Sequence, residues 1–190
     1  GNRDNSKGLD ISEESVINNY KVIKKLNNIN AFSIINGEDI KSDKKLDIIS
    51  PSDFTLLGSK YFATDQIVDE AINSLKDYSI SWKNFPIKKK SEIILNFANL
   101  IEENFKEIIE ICAQESGKSI KNSIAEIREA VDFCRYYSKE ANLIFKEQIL
   151  KGPTGELNRY RLIGKGLTLV ISPWNFPIAI FVGQTIAALI

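Results

Sequence analysis

The segment from Ile171 to Pro177, Ile-Ser-Pro-Trp-Asn-Phe-Pro, constrains the fold more than any other part of the sequence. An apolar, largely β-branched run, Leu167 to Ile171, precedes its turn residues, and an apolar run compatible with a helix follows from Ile178 to Ile190. This order predicts a buried strand, a tight turn and a helix. Because open α/β folds bind ligands at the carboxyl ends of their strands, Asn175 is the polar side chain that such a turn would present.

Two prolines would make this turn rigid. Pro177 can occupy the first turn of the following helix, where its missing N–H is not needed. A rigid turn would hold the carboxamide of Asn175 in place as a preorganised donor for a developing oxyanion. The plainer alternative is a rigid aromatic turn without a catalytic role.

The composition excludes several classes of function. The 25 basic residues balance the 25 acidic ones, which argues against nucleic acid or an anionic membrane as a partner held by bulk charge. No histidine occurs among the 190 residues. A Ser-His-Asp or Cys-His site, or a zinc site with imidazole ligands, therefore cannot form within this sequence, and no metal site is predicted.

The two cysteines, Cys112 and Cys134, form neither a CxxC pair nor a disulfide framework. No signal peptide is recognised at the start of the sequence, so we expect a cytoplasmic protein. Both cysteines occupy apolar positions of predicted helices, which indicates small core residues rather than nucleophiles.

The first part of the chain predicts an arm and short strands. Residues 1–30 are polar and indicate an arm or linker with a short amphipathic stretch at 13–26, and residues 31–190 are predicted to form the domain. Within the domain, Leu46–Ile49 and Phe54–Leu57 are the clearest strands. Turn signals separate the β-like runs, at Asn36-Gly37, Pro51-Ser52-Asp53 and Gly58.

Three helical regions follow. Thr64 can cap the first helix, and the second begins near Pro86 or Ser91 and continues to Cys112. Gly117 then indicates a helix C-cap, which is a better interpretation of Glu115–Ser119 than a phosphate-binding loop, because that loop follows a strand and starts with glycine. The third helix has one narrow apolar seam, at positions 120, 124, 127, 131 and 134.

Four charged residues lie at helical spacings on the third helix: Arg128, Glu129, Asp132 and Arg135. This pattern is typical of surface ion pairs along one helix. Glu129 borders the apolar seam, so it could instead face a cleft. Beyond this helix, residues 151–155 break the pattern and residues 156–163 alternate as a strand does.

The last part of the chain also allows a membrane interpretation. No charged residue occurs between Gly166 and Ile190, a run long enough to span a bilayer. Pro173 and Pro177 in its middle would leave backbone carbonyls without partners in lipid. A buried strand followed by a buried helix produces the same hydrophobicity. The sequence favours this interpretation over a membrane span, with a C-terminal membrane anchor as the alternative.

Several stretches resemble a known family. Ser172–Pro177, with Gly183-Gln184 after it, resembles the cofactor-strand signature of the aldehyde dehydrogenase superfamily, and Glu115–Lys118 resembles a helix end in that family. Further stretches are similar to the L-glutamate γ-semialdehyde (Δ1-pyrroline-5-carboxylate) dehydrogenase module of proline utilization A proteins, namely those at 125–137, 152–156 and 5–10. The resemblance covers essentially the whole chain.

The resemblance implies an α/β fold, the helix-rich N-terminal part of a Rossmann-like NAD-binding domain with short β-hairpins, incomplete and truncated at the C-terminus. It also implies NAD-dependent oxidation of a small-molecule aldehyde, the semialdehyde, to glutamate in proline catabolism. In that chemistry a cysteine thiolate attacks the aldehyde, hydride passes to nicotinamide, and water activated by a glutamate hydrolyses the thioester.

The resemblance further implies site residues. Asn175 would be the oxyanion donor, Phe176 would pack against the aliphatic part of the substrate, and Glu129 would lie near its polar end. The hairpin that the family uses for oligomerisation would start near 151–163, so the full-length enzyme would be a homo-oligomer. The adenosine-ribose side of NAD would be lined by Ile171, Ser172, Pro173 and Trp174.

The sequence also departs from the family. Four features of the family have no counterpart in it: the Lys-Pro-Ser/Ala-Glu strand, the glycine-rich turn near the pyrophosphate, the glutamate base and the nucleophilic cysteine. Cys112 and Cys134 match neither the position nor the context of that nucleophile. The flavin-binding barrel of proline utilization A proteins is also missing. We therefore expect a front part of a longer dehydrogenase that is inactive by itself. The alternative is a non-catalytic remnant or interaction protein with half the fold.

Overall fold

The computed structural model describes residues 3–20 and 23–190. Its helices are α1 Glu14–Asn18, α2 Asp65–Asn84, α3 Ile87–Glu103, α4 Phe105–Ser116, α5 Ile120–Ile144 and α6 Ala179–Leu189. Its strands are β1 Ile29–Ala31, β2 Ser33–Ile35, β3 Glu38–Ile40, β4 Lys45–Ile49, β5 Leu56–Tyr61, β6 Gln148–Leu150 and β7 Asn158–Tyr160. Residues 21 and 22, inside the predicted amphipathic stretch, lie outside the described residues.

The hydrophobic core forms around α5, which packs against α3, α4 and α6. The predicted seam of α5 is confirmed, because Ile124, Ile127, Val131 and Cys134 are all buried in the core. Cys112, on α4, is buried as well, so the prediction that both cysteines are core residues is confirmed.

Local end signals set the helix boundaries largely as predicted. Thr64 caps α2 by accepting a hydrogen bond from the backbone N–H of Ile67 at 3.3 Å. Gly117 ends α4 with a left-handed φ of 65°. The predicted helix through Cys112 is interrupted at Asn104, whose backbone is not helical and whose side-chain amide donates to the Leu100 carbonyl at 2.8 Å.

The strands between residues 29 and 61 form two small sheets. β2 and β3 form an antiparallel hairpin whose turn, Asn36-Gly37, has φ values of 53° and 83°, as a two-residue hairpin loop requires. In the other sheet β5 lies between β1 and β4, parallel to β1 and antiparallel to β4. The β4 strand and the Asn36-Gly37 turn are confirmed.

Two predictions in this region are wrong. Phe54 lies in the turn before β5 with a φ of 57°, so the strand begins at Leu56. Gly58 is not a turn residue but lies inside β5 opposite Ile29, where a Cβ atom would overlap the Ile29 carbonyl. The glycine is needed because two backbones approach closely at this point.

The N-terminal arm lies against the helices. The backbone N–H of Ser6 donates to Asp132 on α5 at 2.8 Å, and that of Leu26 donates to Gln114 on α4 at 2.9 Å. The boundary between residues 30 and 31 falls inside β1. The division into an arm at 1–30 and a domain at 31–190 stays a prediction.

The segment before α6 differs from its prediction. Residues 161–173 contain no strand, and Leu169 and Ile171 are 83% and 76% exposed. The predicted buried strand at Leu167–Ile171 is therefore wrong, since a strand needs a hydrogen-bonded neighbour and no described strand lies beside this run. The predicted strand at 156–163 is shortened to β7, which pairs with β6 in a hairpin. Among the described residues, no helix has the length and apolar character needed to cross a lipid bilayer.

Replacing Gly58 by alanine should weaken the β1–β5 pairing, because the added methyl group and the Ile29 carbonyl would compete for one space. We expect G58A to be destabilised by about 1–3 kcal/mol, the usual cost of overpacking. Denaturant unfolding measures the change. The matched control is Gly164→Ala, at a glycine with no atom within 4 Å of its Cβ position. Equal stability of the two variants would contradict the assignment.

Candidate functional site

The turn before α6 presents its side chains to solvent. Residues 174–178 form the turn, and Trp174 is 83% exposed. The side chain of Asn175 is exposed as well, and that of Phe176 is 40% exposed. We call residues 172–177 the corner. Pro177 precedes Ile178, the N-cap of α6, so the prediction that Pro177 lies in the first turn of the helix is wrong.

A buried ion pair holds the backbone of the corner. The side chain of Glu126 on α5 is only 2% exposed and pairs with Lys118, whose side chain is 14% exposed. The Lys118 ammonium also donates to the backbone carbonyl of Asn175 at 2.7 Å and lies 4.7 Å from the centre of the Phe176 ring. The cation therefore contacts both the main chain and an aromatic face of the corner.

Glu126 also binds the start of α6. Its Oε2 atom accepts hydrogen bonds from the backbone N–H groups of Ile178, at 3.0 Å, and Ala179, at 3.3 Å. These are groups at a helix N-terminus that have no acceptor within the helix, and the positive end of the helix dipole favours a carboxylate there. Glu126 thus caps α6 from a different helix.

The chain reaches this arrangement through two consecutive helix ends. The left-handed Gly117 terminates α4, and Ser119 caps α5 by accepting from the backbone N–H of Asn122 at 3.3 Å. Lys118 lies between these two caps. Burial lowers the pKa of its ammonium group.

A cleft of about 420 Å³ lies beside α5. It is lined by Arg3, Ala125, Arg128, Glu129, Asp132, Phe133 and Tyr136. Glu129 therefore faces a cleft, and its role towards a substrate stays a prediction. The expected ion pairs along α5 are not formed: Asp132 binds the backbone of Ser6, and Arg135 pairs with Glu102 of α3 at 2.8 Å.

Helix α5 contributes residues to both the corner and the cleft. Glu126 and Glu129 lie about one turn apart on α5. Where α6 crosses α5, a Cβ atom on Gly183 would lie 2.8 Å from the ring of Phe133, which lines the cleft. A larger residue at position 183 would therefore require the Phe133 ring or α6 to move.

Comparison with known proteins identifies the fold. The chain matches the aldehyde dehydrogenase family over residues 39–190. The chain belongs to the aldehyde dehydrogenase family. This confirms the family resemblance and the α/β fold class read from the sequence.

Among related dehydrogenases, 1-pyrroline-5-carboxylate dehydrogenase 1 of Halalkalibacterium halodurans is 33% identical, over 83% of this chain and 31% of its own length. The enzyme of the same name from Staphylococcus haemolyticus is 31% identical, over 98% of this chain and 37% of its own length. The bifunctional protein PutA of Escherichia coli is 31% identical, over 98% of this chain and 14% of its own length. The chain spans about a third of the length of the first two relatives.

Solved structures show the same fold. Proline utilization A from Bdellovibrio bacteriovorus superposes with a TM-score of 0.88 at 26% identity, covering 98% of this chain and 20% of its own. A 1-pyrroline-5-carboxylate dehydrogenase from Thermus with bound NAD also has a TM-score of 0.88, at 24% identity, covering 98% of this chain and 38% of its own. The described part of this aldehyde dehydrogenase chain therefore has the family's architecture.

Lys118 and Glu126 were missed as functional candidates by sequence reasoning. Both lie in stretches that resemble the family, at 115–118 and 125–137, and the sequence predicts no role at a site for either. A charged residue is rarely almost fully buried without a partner. The sequence alone does not predict the burial of Glu126, because its partners come from α6 and from the α4–α5 joint.

The two cysteines should be unreactive in the folded chain. Burial raises the pKa of both thiols: it outweighs the opposing effect of the Lys118 cation at Cys112, and it raises the pKa of Cys134 to about 11. Because the thiolate is the reactive form, we expect a thiol-specific disulfide reagent to modify neither residue at about pH 8 and both after denaturation. Modification of the folded chain as fast as the unfolded chain would contradict this assignment.

Proposed function

We propose that this chain belongs to an NAD-dependent dehydrogenase that oxidises L-glutamate γ-semialdehyde to glutamate. The observation that supports it best is the 31–33% identity to 1-pyrroline-5-carboxylate dehydrogenases over 83–98% of the chain. Because the chain spans about a third of those relatives, the activity is proposed for the enzyme that contains it. Proline catabolism and a homo-oligomeric enzyme, built partly through the β6–β7 hairpin, belong to the same proposal.

The residues proposed to hold NAD fit a nucleoside. Ile171 and Trp174 are 76% and 83% exposed and offer apolar surface at the edge of the corner, while the hydroxyl of the half-buried Ser172 offers a hydrogen bond. With Pro173 between them, these residues would line the adenosine-ribose side of the cofactor. NAD supplies the hydride acceptor when bound.

Asn175 is the proposed oxyanion donor. Its carboxamide is exposed, while its main-chain carbonyl accepts from Lys118, so the backbone that carries this N–H donor is held in place. Such a donor stabilises the negative charge that develops on the aldehyde oxygen as a nucleophile attacks. Phe176 would contact the aliphatic part of the substrate and Glu129 its ammonium group.

Cys112 and Cys134 do not supply the nucleophile of this proposal. Both are buried with raised pKa values, the opposite of what activates a thiol. The thiolate and the glutamate base would come from other residues of the enzyme, and the 190 residues alone would be inactive. A gene product without aldehyde oxidation would favour the alternative of an interaction protein with half the fold.

Replacing Asn175 by alanine should lower kcat by about 10²–10³-fold, the usual loss for one oxyanion donor. NAD affinity should change little, because the main chain and Trp174 are retained. The measurement is NADH formation by the whole gene product with L-glutamate γ-semialdehyde. Asn73→Ala, at an exposed position of α2, is the matched control and should match the unmodified enzyme. Unchanged turnover in N175A would remove the oxyanion role.

Glu129→Gln should raise KM for L-glutamate γ-semialdehyde by about tenfold, equivalent to about 1.4 kcal/mol of lost binding. The reason is the loss of a carboxylate opposite the substrate ammonium group. A simple aliphatic aldehyde carries no such group and should show the same KM with both enzymes. An equal rise for both aldehydes would show that Glu129 acts on the structure of the cleft and not on the substrate.

A further inference from the structure

Lys118 and Glu126 form a charged cluster that the proposed binding residues do not include. The cluster joins the α4–α5 joint, the second turn of α5 and the start of α6, and the side chain of Glu126 is 2% exposed. Burying a carboxylate is costly unless it is paired and hydrogen-bonded. Here the carboxylate pairs with one cation through Oε1 and accepts hydrogen bonds from two backbone N–H groups through Oε2.

We infer that Lys118 and Glu126 are positioning residues for the carboxamide of Asn175, an inference that rests on the proposed oxyanion role of that residue. Lys118 binds the main-chain carbonyl of Asn175. Glu126 binds the backbone N–H groups three and four residues further on. The corner is thereby fixed on both sides of Pro177.

The contacts of Lys118 and Glu126 distinguish a positioning role from direct catalysis. Lys118 contacts the backbone of Asn175 and the ring of Phe176. Among the described residues, the polar partners of the Glu126 carboxylate are Lys118 and the start of α6. Neither charged group bonds to the Asn175 side chain, which stays exposed. Any effect of the pair on an oxyanion must therefore act through the position of the corner.

Position matters at such a donor because the hydrogen bond must reach the oxyanion at a defined distance. A misplacement of about 1 Å can cost about 10²-fold in rate. Without Lys118, Glu126 would lose its cation and Asn175 its main-chain anchor. The corner could then shift although the core residues of α5 and α6 remain packed.

A double-mutant cycle tests this in the whole enzyme. Lys118→Met keeps the aliphatic stem and removes the ammonium group, and we expect it to lower kcat by about tenfold to 10²-fold with little change in KM. In the Asn175→Ala background the same substitution should have almost no further effect, because the group being positioned is gone. Lys118→Arg should restore most of kcat.

The matched control is Arg135→Met, which breaks an ion pair on the same helix. The Arg135 and Glu102 side chains are 14% and 19% exposed, but they lie away from the corner. This variant should be less stable to denaturant and should keep the kcat of the unmodified enzyme. If K118M and R135M reduce stability alike and neither lowers kcat, the pair is only structural and the inference is wrong.

A second measurement does not need activity. In the 190-residue chain, Glu126→Met should speed amide hydrogen exchange at Ile178 and Ala179 by about tenfold or more, because methionine has a similar length but no oxygen to accept from the two N–H groups. Amides in the middle of α5 should exchange at unchanged rates. Unchanged exchange at Ile178 and Ala179 would overturn the assignment of Glu126.

The outcomes distinguish the two proposals. If the unmodified enzyme does not oxidise the aldehyde, the proposed function fails and the exchange experiment alone decides whether the pair fixes the corner. If N175A lowers kcat but K118M does not, the function stands and the positioning role fails. If K118M and N175A lower kcat additively, Lys118 acts by another route and the inference is overturned.

Discussion

The burial of the Glu126 carboxylate is the constraint on which the site depends. A charge that is 2% exposed can persist only where the surrounding structure compensates it. Its compensation comes from Lys118 and from the first turn of α6. The start of α6, 52 residues further along the chain than Glu126, must therefore pack against α5 and the α4–α5 joint before this carboxylate is compensated.

This constraint gives the corner an unusual combination of properties. Its backbone is fixed by buried charges, while its side chains at Trp174 and Asn175 remain exposed. A preorganised hydrogen-bond donor needs both, because a fixed position avoids reorganisation and an exposed carboxamide is free to bind a substrate atom. The prolines restrict the same backbone, but the contacts that hold it come from other elements.

The sequence correctly predicted the features that interactions between neighbouring residues determine. Four confirmed predictions depend on neighbours within a few residues: the Thr64 cap, the helix end at Gly117, the Asn36-Gly37 hairpin and the α5 seam. Predictions that depend on distant partners failed. The run at Leu167–Ile171 has β-branched residues but no described strand beside it, and the function of Gly58 depends on the approach of Ile29.

The charged residues on α5 show the same difference between local and distant interactions within one helix. Glu126, Glu129, Asp132 and Arg135 recur every third residue, and the spacing of the last three with Arg128 predicts ion pairs along the helix. In the structure each turns to a different neighbour: the start of α6, the cleft, the arm at Ser6 and Glu102 of α3. The apolar seam of α5 determines how closely these neighbouring elements pack against the helix. The charged residues beside the seam determine which group of each element is bound. Charged residues at a regular spacing on α5 thus help to position the arm, the cleft wall and the corner. Their partners lie on other segments, so local sequence rules could not predict them.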